Sequence, residues 1–229
     1  MKISVIIPAY NEENTVEAVL EEIKTVKSAE NLNLEIIVVN DGSTDQTAAI
    51  LQKYTAESFI KIIHQNNAGK TNALASGIRL ASGDLVLIQD ADLEYSPNYY
   101  PALLKPIIAG KADVTYGSRF LGSQRGMTLI NRFANIFSNL TFNLLHRTKL
   151  TDINTCFKLI PRSILQTISI TSSDFTFETE ITSKLINRGC RILEIPIDYT
   201  ARTHQDGKKI NWNKAWKMYW GIFQYFKSR

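Results

Sequence analysis

The sequence predicts an α/β fold, a mostly parallel sheet with flanking helices, on three observations. Short runs rich in Val and Ile recur through residues 1–117, segments of helical periodicity separate them, and polar residues gather where the runs end.

The runs ISVIIP, EIIVVND, FIKIIHQ, DLVLIQD and DVTYGS each have the length and composition of a strand. Between the first two, residues 15–27 place Val16, Val19, Leu20, Ile23 and Val26 on one helical stripe. Strands alternating with helices run parallel, and such sheets bind ligands at the carboxyl ends of their strands. Polar clusters stand at three of those ends: Pro8-Ala9-Tyr10-Asn11-Glu12, Asn40-Asp41-Gly42-Ser43 and Asp90-Ala91-Asp92. Asn11, Asn40, Asp41 and Ser43 are of the type that caps helices, but capping leaves carboxylates at three strand ends unexplained. Gly69-Lys70-Thr71 opens a further helix, where amides and an ammonium suit a phosphate. The glycine spacing of a P-loop is missing there, and a lone lysine is equally a solvated charge.

After residue 117 the rhythm changes. MTLINRFANIFSNLTFNLLHRTKL is long, apolar on more than one face and interspersed with Asn and Arg, which suits a helix at a membrane interface or beneath another helix. Then come a loop, TDINTCFKLIPRS, a helix over residues 178–188, a strand, RILEIPIDY, a basic loop, TARTHQDGKKIN, and an aromatic final helix. No repeat, low-complexity tract or linker intervenes, so residues 1–229 are expected to form one domain in two halves, 1–117 and 118–229.

Composition narrows the function classes. At 44% apolar and 21% charged the chain is an ordinary globular protein. It opens without the basic and apolar regions of a secretory signal, so a cytoplasmic protein is expected. Its longest apolar stretch, WKMYWGIFQYF, is interrupted by Lys217 and too short to span a bilayer. Cys156 and Cys190 have no metal-binding spacing and read as reduced thiols. The net charge of +4 is unevenly spread: residues 114–151 hold no Asp or Glu but contain Arg119, Arg125, Arg132, Arg147 and Lys149. From Asp206 onward, Lys208, Lys209, Lys214, Lys217, Lys227 and Arg229 face a single carboxylate. Both zones point to anionic partners, with no nucleic acid expected. In the final helix Trp212, Trp216, Tyr219, Trp220, Phe223 and Phe226 recur three or four apart, as on a helix at a headgroup layer, against the core, or in the interface of a homo-oligomer.

Asp90 and Asp92 alone decide little, because ten Asp in 229 residues give an Asp-x-Asp by chance about 0.4 times. Their context decides more. SVIIPAYNEE, VVNDGSTDQT, NAGKTNALASGIRLASGD, QDADLEYSP and YGSRF occur in an order and spacing that resembles family 2 glycosyltransferases of the GT-A fold, whose sheet is Rossmann-like. Within that family they look most like the dolichyl-phosphate and undecaprenyl-phosphate sugar transferases, the branch of dolichol-phosphate mannose synthase. FETEI and RGCRILEIPIDYTARTHQDGKKINW share the likeness, which spans residues 3–212.

The resemblance implies an inverting transferase that moves a hexose, of mannose or glucose type, from a GDP- or UDP-sugar to a polyprenyl phosphate at the cytoplasmic face of a membrane. Residues 1–117 would bind the nucleotide sugar, and 118–229 the acceptor, with an amphipathic, interfacial C-terminal helix. Pro8, Tyr10, Glu12 and Asp41 would cradle base and ribose, with Lys70 nearby on the donor. Asp90 and Asp92 would meet the donor diphosphate through Mg²⁺ or Mn²⁺, with Glu94 placed to add a third oxygen. Arg119 and Arg132 would hold the acceptor phosphate, and Arg202 and Lys209 belong to a basic loop that closes over the diphosphate or the acceptor. Relatives often carry transmembrane helices beyond this point, so this chain would associate peripherally.

The residue types suit that chemistry. A departing nucleoside diphosphate gains negative charge that a hard divalent cation on carboxylates stabilises. A hydroxyl acceptor needs a general base, for which Asp152, Glu178 and Glu180 are the candidates. A phosphate monoester is already anionic near neutral pH and needs cations and positioning instead. Glu178 and Glu180 equally suit orienting their helix. Cys156 stands where related sequences often have Gly, which leaves the donor sugar open, and His204 beside Arg202 reads as a solvent-exposed loop residue. Alternative readings are a family 2 transferase acting on a glycan or soluble hydroxyl, and a non-catalytic nucleotide-sugar-binding protein. A nucleotidyltransferase would need a glycine-rich, basic first loop, which PAYNEENT is not.

Overall fold

The computed structural model describes residues 1–172, 176–202 and 212–226, with the backbone alone over 212–218. The first half runs β1 (Ile3–Ala9), α1 (Val16–Ala29), β2 (Leu34–Asp41), α2 (Thr47–Gln52), β3 (Ile60–Gln65), α3 (Lys70–Leu80), β4 (Leu85–Ile88), α4 (Tyr100–Ile108) and β5 (Val114–Ser118). The second adds β6 (Gln124–Arg125), α5 (Leu129–His146), β7 (Lys158–Pro161), α6 (Arg162–Leu165), α7 (Phe177–Asn187), β8 (Ile192–Pro196), β9 (Tyr199–Thr200) and α8 (Trp212–Tyr225).

Seven strands form one sheet in the order β3-β2-β1-β4-β7-β5-β8, and β6 with β9 makes a separate two-stranded sheet. β1 lies parallel between β2 and β4, with Ile6 opposite Ile37 and Ile88. Every residue of β2 is buried. Alternate residues of a strand point to opposite faces, so both faces of this sheet are covered. The buried residues of α1 are the stripe read from the sequence, Val16, Val19, Leu20, Ile23 and Val26.

One sequence expectation needs correcting. The segment read as the loop TDINTCFKLIPRS contains β7, which inserts antiparallel between β4 and β5, pairing Val86 with Ile160 and Thr115 with Leu159. Lys158 at its start disguises it, since a lysine in a short apolar run reads as solvent-facing. Here Lys158 is fully buried, with its ammonium 3.7 Å from the centre of the Tyr116 ring and donating to the Ile153 carbonyl at 3.0 Å. The segment RILEIPIDY likewise divides between β8 and β9.

Cys156 and Cys190 are free thiols. Among the described residues no helix is long and apolar enough to cross a membrane.

Candidate active site

The chain winds from β1 outward to β2 and β3, then returns to set β4 on the other side of β1. The crevice between the carboxyl ends of β1 and β4 is therefore the switch point of the sheet, the usual ligand position in such folds. Glu12 follows β1 there, and Asp90 and Asp92 follow β4.

The polar residues after β1 and β2 stitch their two loops together. Asn11 takes a left-handed backbone (φ 53°), its Oδ1 accepts from the Thr44 amide at 2.8 Å, and its own amide donates to Ser43 Oγ at 3.0 Å. The Glu12 amide donates to Thr47 Oγ1 at 2.9 Å. The capping roles expected of Asn11, Asn40, Asp41 and Ser43 are thus replaced: α1 and α2 begin at Thr15 and Gln46 without a side-chain cap. Asp41 spends both oxygens on the turn before α3, accepting from Ala68 N (3.0 Å), Gln65 Nε2 (2.7 Å) and Gly69 N (2.9 Å). That turn presses on Gly42 (φ 70°), where a Cβ would lie 2.6 Å from the Asn67 nitrogen, so only glycine fits. Pro8 and Tyr10 stand at the same edge, with Tyr10 37% exposed.

Each carboxylate of the Asp-x-Asp faces a cation. Lys70 Nζ, from the first turn of α3, lies 2.8 Å from Asp90 Oδ1 and 3.4 Å from Glu178 Oε1. Burial raises the Asp90 pKa, but the Lys70 ammonium and a hydrogen bond from the Cys156 thiol more than offset this and hold it below the usual range. Arg202 reaches in from beyond β9, with Nη2 2.8 Å from Asp92 Oδ2 and Nη1 2.9 Å from Glu12 Oε2. Burial, then the neighbouring charges of Asp90 and Glu94, push Asp92 up to about 7 despite that guanidinium. Between Asp92 and Glu94, Leu93 holds a left-handed φ of 61°, a strained conformation for a side chain of its kind.

Glu94 does not join a three-carboxylate cluster. Its Oε2 accepts from Tyr199 Oη and its Oε1 from the Arg202 amide, both at 2.8 Å, and no three His, Cys, Asp or Glu converge as a metal site among the described residues. Asp90 and Asp92 alone still fit a divalent ion. Mg²⁺ takes one or two carboxylates and completes its shell with water and substrate phosphate, and the negative charge that raises Asp92 is what such an ion relieves.

On the other flank Arg119 turns inward to Asp152. Its Nε donates at 2.8 Å and its Nη2 at 2.7 Å to the two carboxylate oxygens, while its backbone amide donates to Oδ2 at 3.0 Å. Asp152 is fully buried and Arg119 8% exposed. The Arg119 guanidinium also lies 5.2 Å from the centre of the Tyr199 ring. Of the three candidate bases, Asp152 is therefore committed to Arg119. Glu180 is committed to Thr171, Ser172 and Lys184. Only Glu178 remains near the crevice, beside Lys70. Arg132 is exposed on α5. Lys209 and His204 fall outside the described residues, as do the side chains of Trp212 and Trp216.

Two residues that hold the site in place escaped the sequence reading. Tyr199 joins Glu94 to Arg119, and Glu194 fixes the Asp152 segment by accepting from the amides of Thr151 and Asp152 at 2.8 Å each. Both sit in or beside a short strand whose sequence signals only β structure.

Comparison with known proteins gives the family and the fold. The sequence profile of glycosyl transferase family 2 matches residues 4–169. A dolichol-phosphate mannosyltransferase of Pyrococcus furiosus is 27% identical over 91% of this chain and 59% of its own length. An undecaprenyl-phosphate 4-deoxy-4-formamido-L-arabinose transferase of Pseudomonas fluorescens is 25% identical over 90% of this chain and 59% of its own length. The chain thus spans about three-fifths of these curated relatives. Among solved structures, glucosyl-3-phosphoglycerate synthase of Mycobacterium tuberculosis, in complex with Mn²⁺, UDP and phosphoglyceric acid, superposes with a TM-score of 0.75 at 21% identity over 97% of this chain and 76% of that one. Mannosyl-3-phosphoglycerate synthase of Rubrobacter xylanophilus gives a TM-score of 0.77 at 17% identity over 99% of this chain and 73% of that one. At these identities the likeness to solved structures is one of fold, the GT-A fold expected from the motifs.

Proposed function

The chain belongs to glycosyl transferase family 2, and from that premise we propose that it moves a hexose, of mannose or glucose type, from a GDP- or UDP-sugar to a polyprenyl phosphate, with inversion, as a peripheral protein at the cytoplasmic face of a membrane. The observation that supports the acceptor class is that the flank around Arg119 offers no usable carboxylate, the one candidate base left, Glu178, being paired with Lys70. Residues 114–151 hold no Asp or Glu, and Asp152, next in sequence, has both oxygens bonded to Arg119. A hydroxyl acceptor needs a base on that side, and a phosphate does not. The polyprenyl-phosphate transferases among the relatives support the same class.

In this reading residues 1–117 bind the donor and 118–229 the acceptor, within one domain. Pro8, Tyr10, Glu12 and Asp41 hold the nucleotide at the carboxyl ends of β1 and β2. Asp90 and Asp92 hold Mg²⁺ or Mn²⁺, which supplies positive charge against the departing diphosphate. Lys70 keeps Asp90 ionised and in place, its own pKa raised well above normal because Asp90 and Glu178 outweigh burial. Arg202, with Lys209 beyond it, turns to the diphosphate. Arg119 keeps Nη1 uncommitted among the described residues, and with Arg132 it meets the acceptor phosphate. Inversion then follows from direct in-line attack by a phosphate oxygen.

The test is a transfer assay with purified protein, Mg²⁺ or Mn²⁺ and labelled GDP- and UDP-hexoses, offering polyprenyl phosphate, 3-phosphoglycerate or a neutral polyprenol. Metal-dependent label on polyprenyl phosphate alone is expected. Label on the polyprenol, or on the free hydroxyl of phosphoglycerate, would refute the phosphate class, and label on phosphoglycerate alone would refute the lipid as well.

A further inference from the structure

The inward face of α5 is mixed: Phe142 packs on Leu150, Ile153 and Ile222, while Ser138 and Asn139 are buried beside it and asparagines four residues apart hold residues 148–154. Asn143 accepts from the Leu150 amide at 2.9 Å and donates to the Leu150 carbonyl at 2.7 Å. Asn139 accepts from the Ile153 amide at 3.0 Å and donates to the Thr151 carbonyl. Asn135 accepts from Asn154 at 3.1 Å. The opposite face carries Leu129, Ile130, Phe133, Phe137, Leu140 and Leu144, all between 54% and 80% exposed. These recur at three- and four-residue spacing, so they form one stripe. Trp220 and Phe223 of α8, 59% and 45% exposed, extend it across a junction where the rings of Phe137 and Tyr219 stack at 5.3 Å.

The charges borne by this helix and by the segments flanking it in sequence have one sign, although Asp198 stands near Arg125. Arg132 along the helix, Arg125 before it, and Arg147 and Lys149 after it are exposed, and no carboxylate occurs between residues 114 and 151. A second copy seated on the stripe would set cations against cations. An anionic lipid headgroup layer over an acyl boundary satisfies both the apolar side chains and the cations.

We propose that the outward face of α5, continued by the end of α8, is the surface on which this protein lies on an anionic bilayer. The proposal deepens the lipid-phosphate reading above and rests on it for its purpose, though not for its residues. The surface is tied to the site: the asparagine face of α5 holds the segment carrying Asp152, and Asp152 fixes Arg119. Seating α5 on the bilayer therefore sets the acceptor-side arginine at a fixed position relative to the headgroups.

The experiment is sedimentation of the full chain with vesicles of phosphatidylcholine alone or mixed with phosphatidylglycerol. Binding to the mixed vesicles, weakened by salt, is expected. Phe133→Asp/Leu144→Asp, two exposed sites, should lower partitioning by about tenfold or more with unchanged circular dichroism. Ile108→Asp, 64% exposed on α4 and outside the stripe, should leave it unchanged. The double variant should still use a short, water-soluble prenyl phosphate at the wild-type rate without vesicles. Absence of wild-type binding to mixed vesicles overturns the proposal, as does a wild-type dimer that Phe133→Asp/Leu144→Asp dissociates. Intact vesicle binding with no transfer to any prenyl phosphate would sink the acceptor reading and leave this surface standing.

Discussion

Asp152→Asn separates a structural carboxylate from a catalytic base. In the wild type both Asp152 oxygens accept from the Arg119 guanidinium, with the aspartate fully buried and the arginine nearly so. Asparagine keeps the shape but removes the charge, and its amide nitrogen opposes a donor of Arg119. An uncompensated buried charge costs about 3–5 kcal/mol. At about 2–4 °C per kcal/mol for a chain of this size, the melting temperature should fall by roughly 6–20 °C. Arg119→Leu/Asp152→Leu removes both charges and should recover most of that loss, because the penalty lies in the orphaned partner rather than in the missing pair. The assay is thermal unfolding followed by circular dichroism, with transfer measured on the same samples. If Asp152→Asn melts within about 2 °C of wild type while transfer falls about a hundredfold, Asp152 acts in the chemistry and the reasoning about the pair fails.

Asp92→Asn should lower metal-dependent transfer by about a hundredfold or more at an unchanged or slightly higher melting temperature, since it relieves crowding by Asp90 and Glu94; activity that still titrates normally with Mn²⁺ would refute its role. Glu35 is buried, which raises its pKa, but hydrogen bonds from Ser4, Lys2 and Ser82 more than offset this and hold it far below normal. Its contribution is present above the unfolded value of about 4.3 and lost as pH falls below it, so the stability gap between wild type and Glu35→Gln, about 2 kcal/mol at pH 7, should close toward pH 2 to 3 in urea titrations. Lys158 is brought down to about 8 by burial, against the opposing pull of Glu178, Asp152, Cys156 and Glu194. Between about 8 and the unfolded value of about 10.4 the unfolded chain binds the extra proton, so wild type should gain stability relative to Lys158→Met as pH rises through that window. A flat difference would place the Lys158 ammonium in solvent.

Much of the first half of the fold was legible because buried parallel strands are written as apolar runs, and the polar residues at their ends follow them directly in sequence. Asp90 and Asp92 follow β4 directly, so their place at the sheet edge could be read from the sequence. What the sequence hid are partners distant along the chain. Arg202 reaches Asp92 across 110 positions, and Arg119 meets Asp152 across 33, so neither pairing has a local signal. The partners of Glu94 were hidden for the same reason. Its position beside the Asp-x-Asp suggests a ligand, but Tyr199 and the Arg202 amide, more than a hundred residues away, take its oxygens. β7 was missed because burial of Lys158 depends on the Tyr116 ring and a carbonyl that no periodicity reveals.

α5 marks a different limit. Periodicity divides a helix into two faces but does not say which one turns inward, and the usual assumption puts the apolar face inside. Here residues 148–154 offer peptide groups that Asn139 and Asn143 satisfy, and Phe142 packs on Leu150, Ile153 and Ile222, so the face carrying Asn139, Phe142 and Asn143 is drawn in. Those bonds contribute about 1 kcal/mol each, whereas each Leu, Ile or Phe on the other face would gain about 1.5–3 kcal/mol on burial. Six such side chains outweigh the asparagine bonds and the one buried Phe142 together, so the arrangement is not the one that best serves the chain alone in water. The arrangement becomes favourable when something apolar covers the stripe, and the cations borne by α5 and its sequence flanks suit an anionic cover.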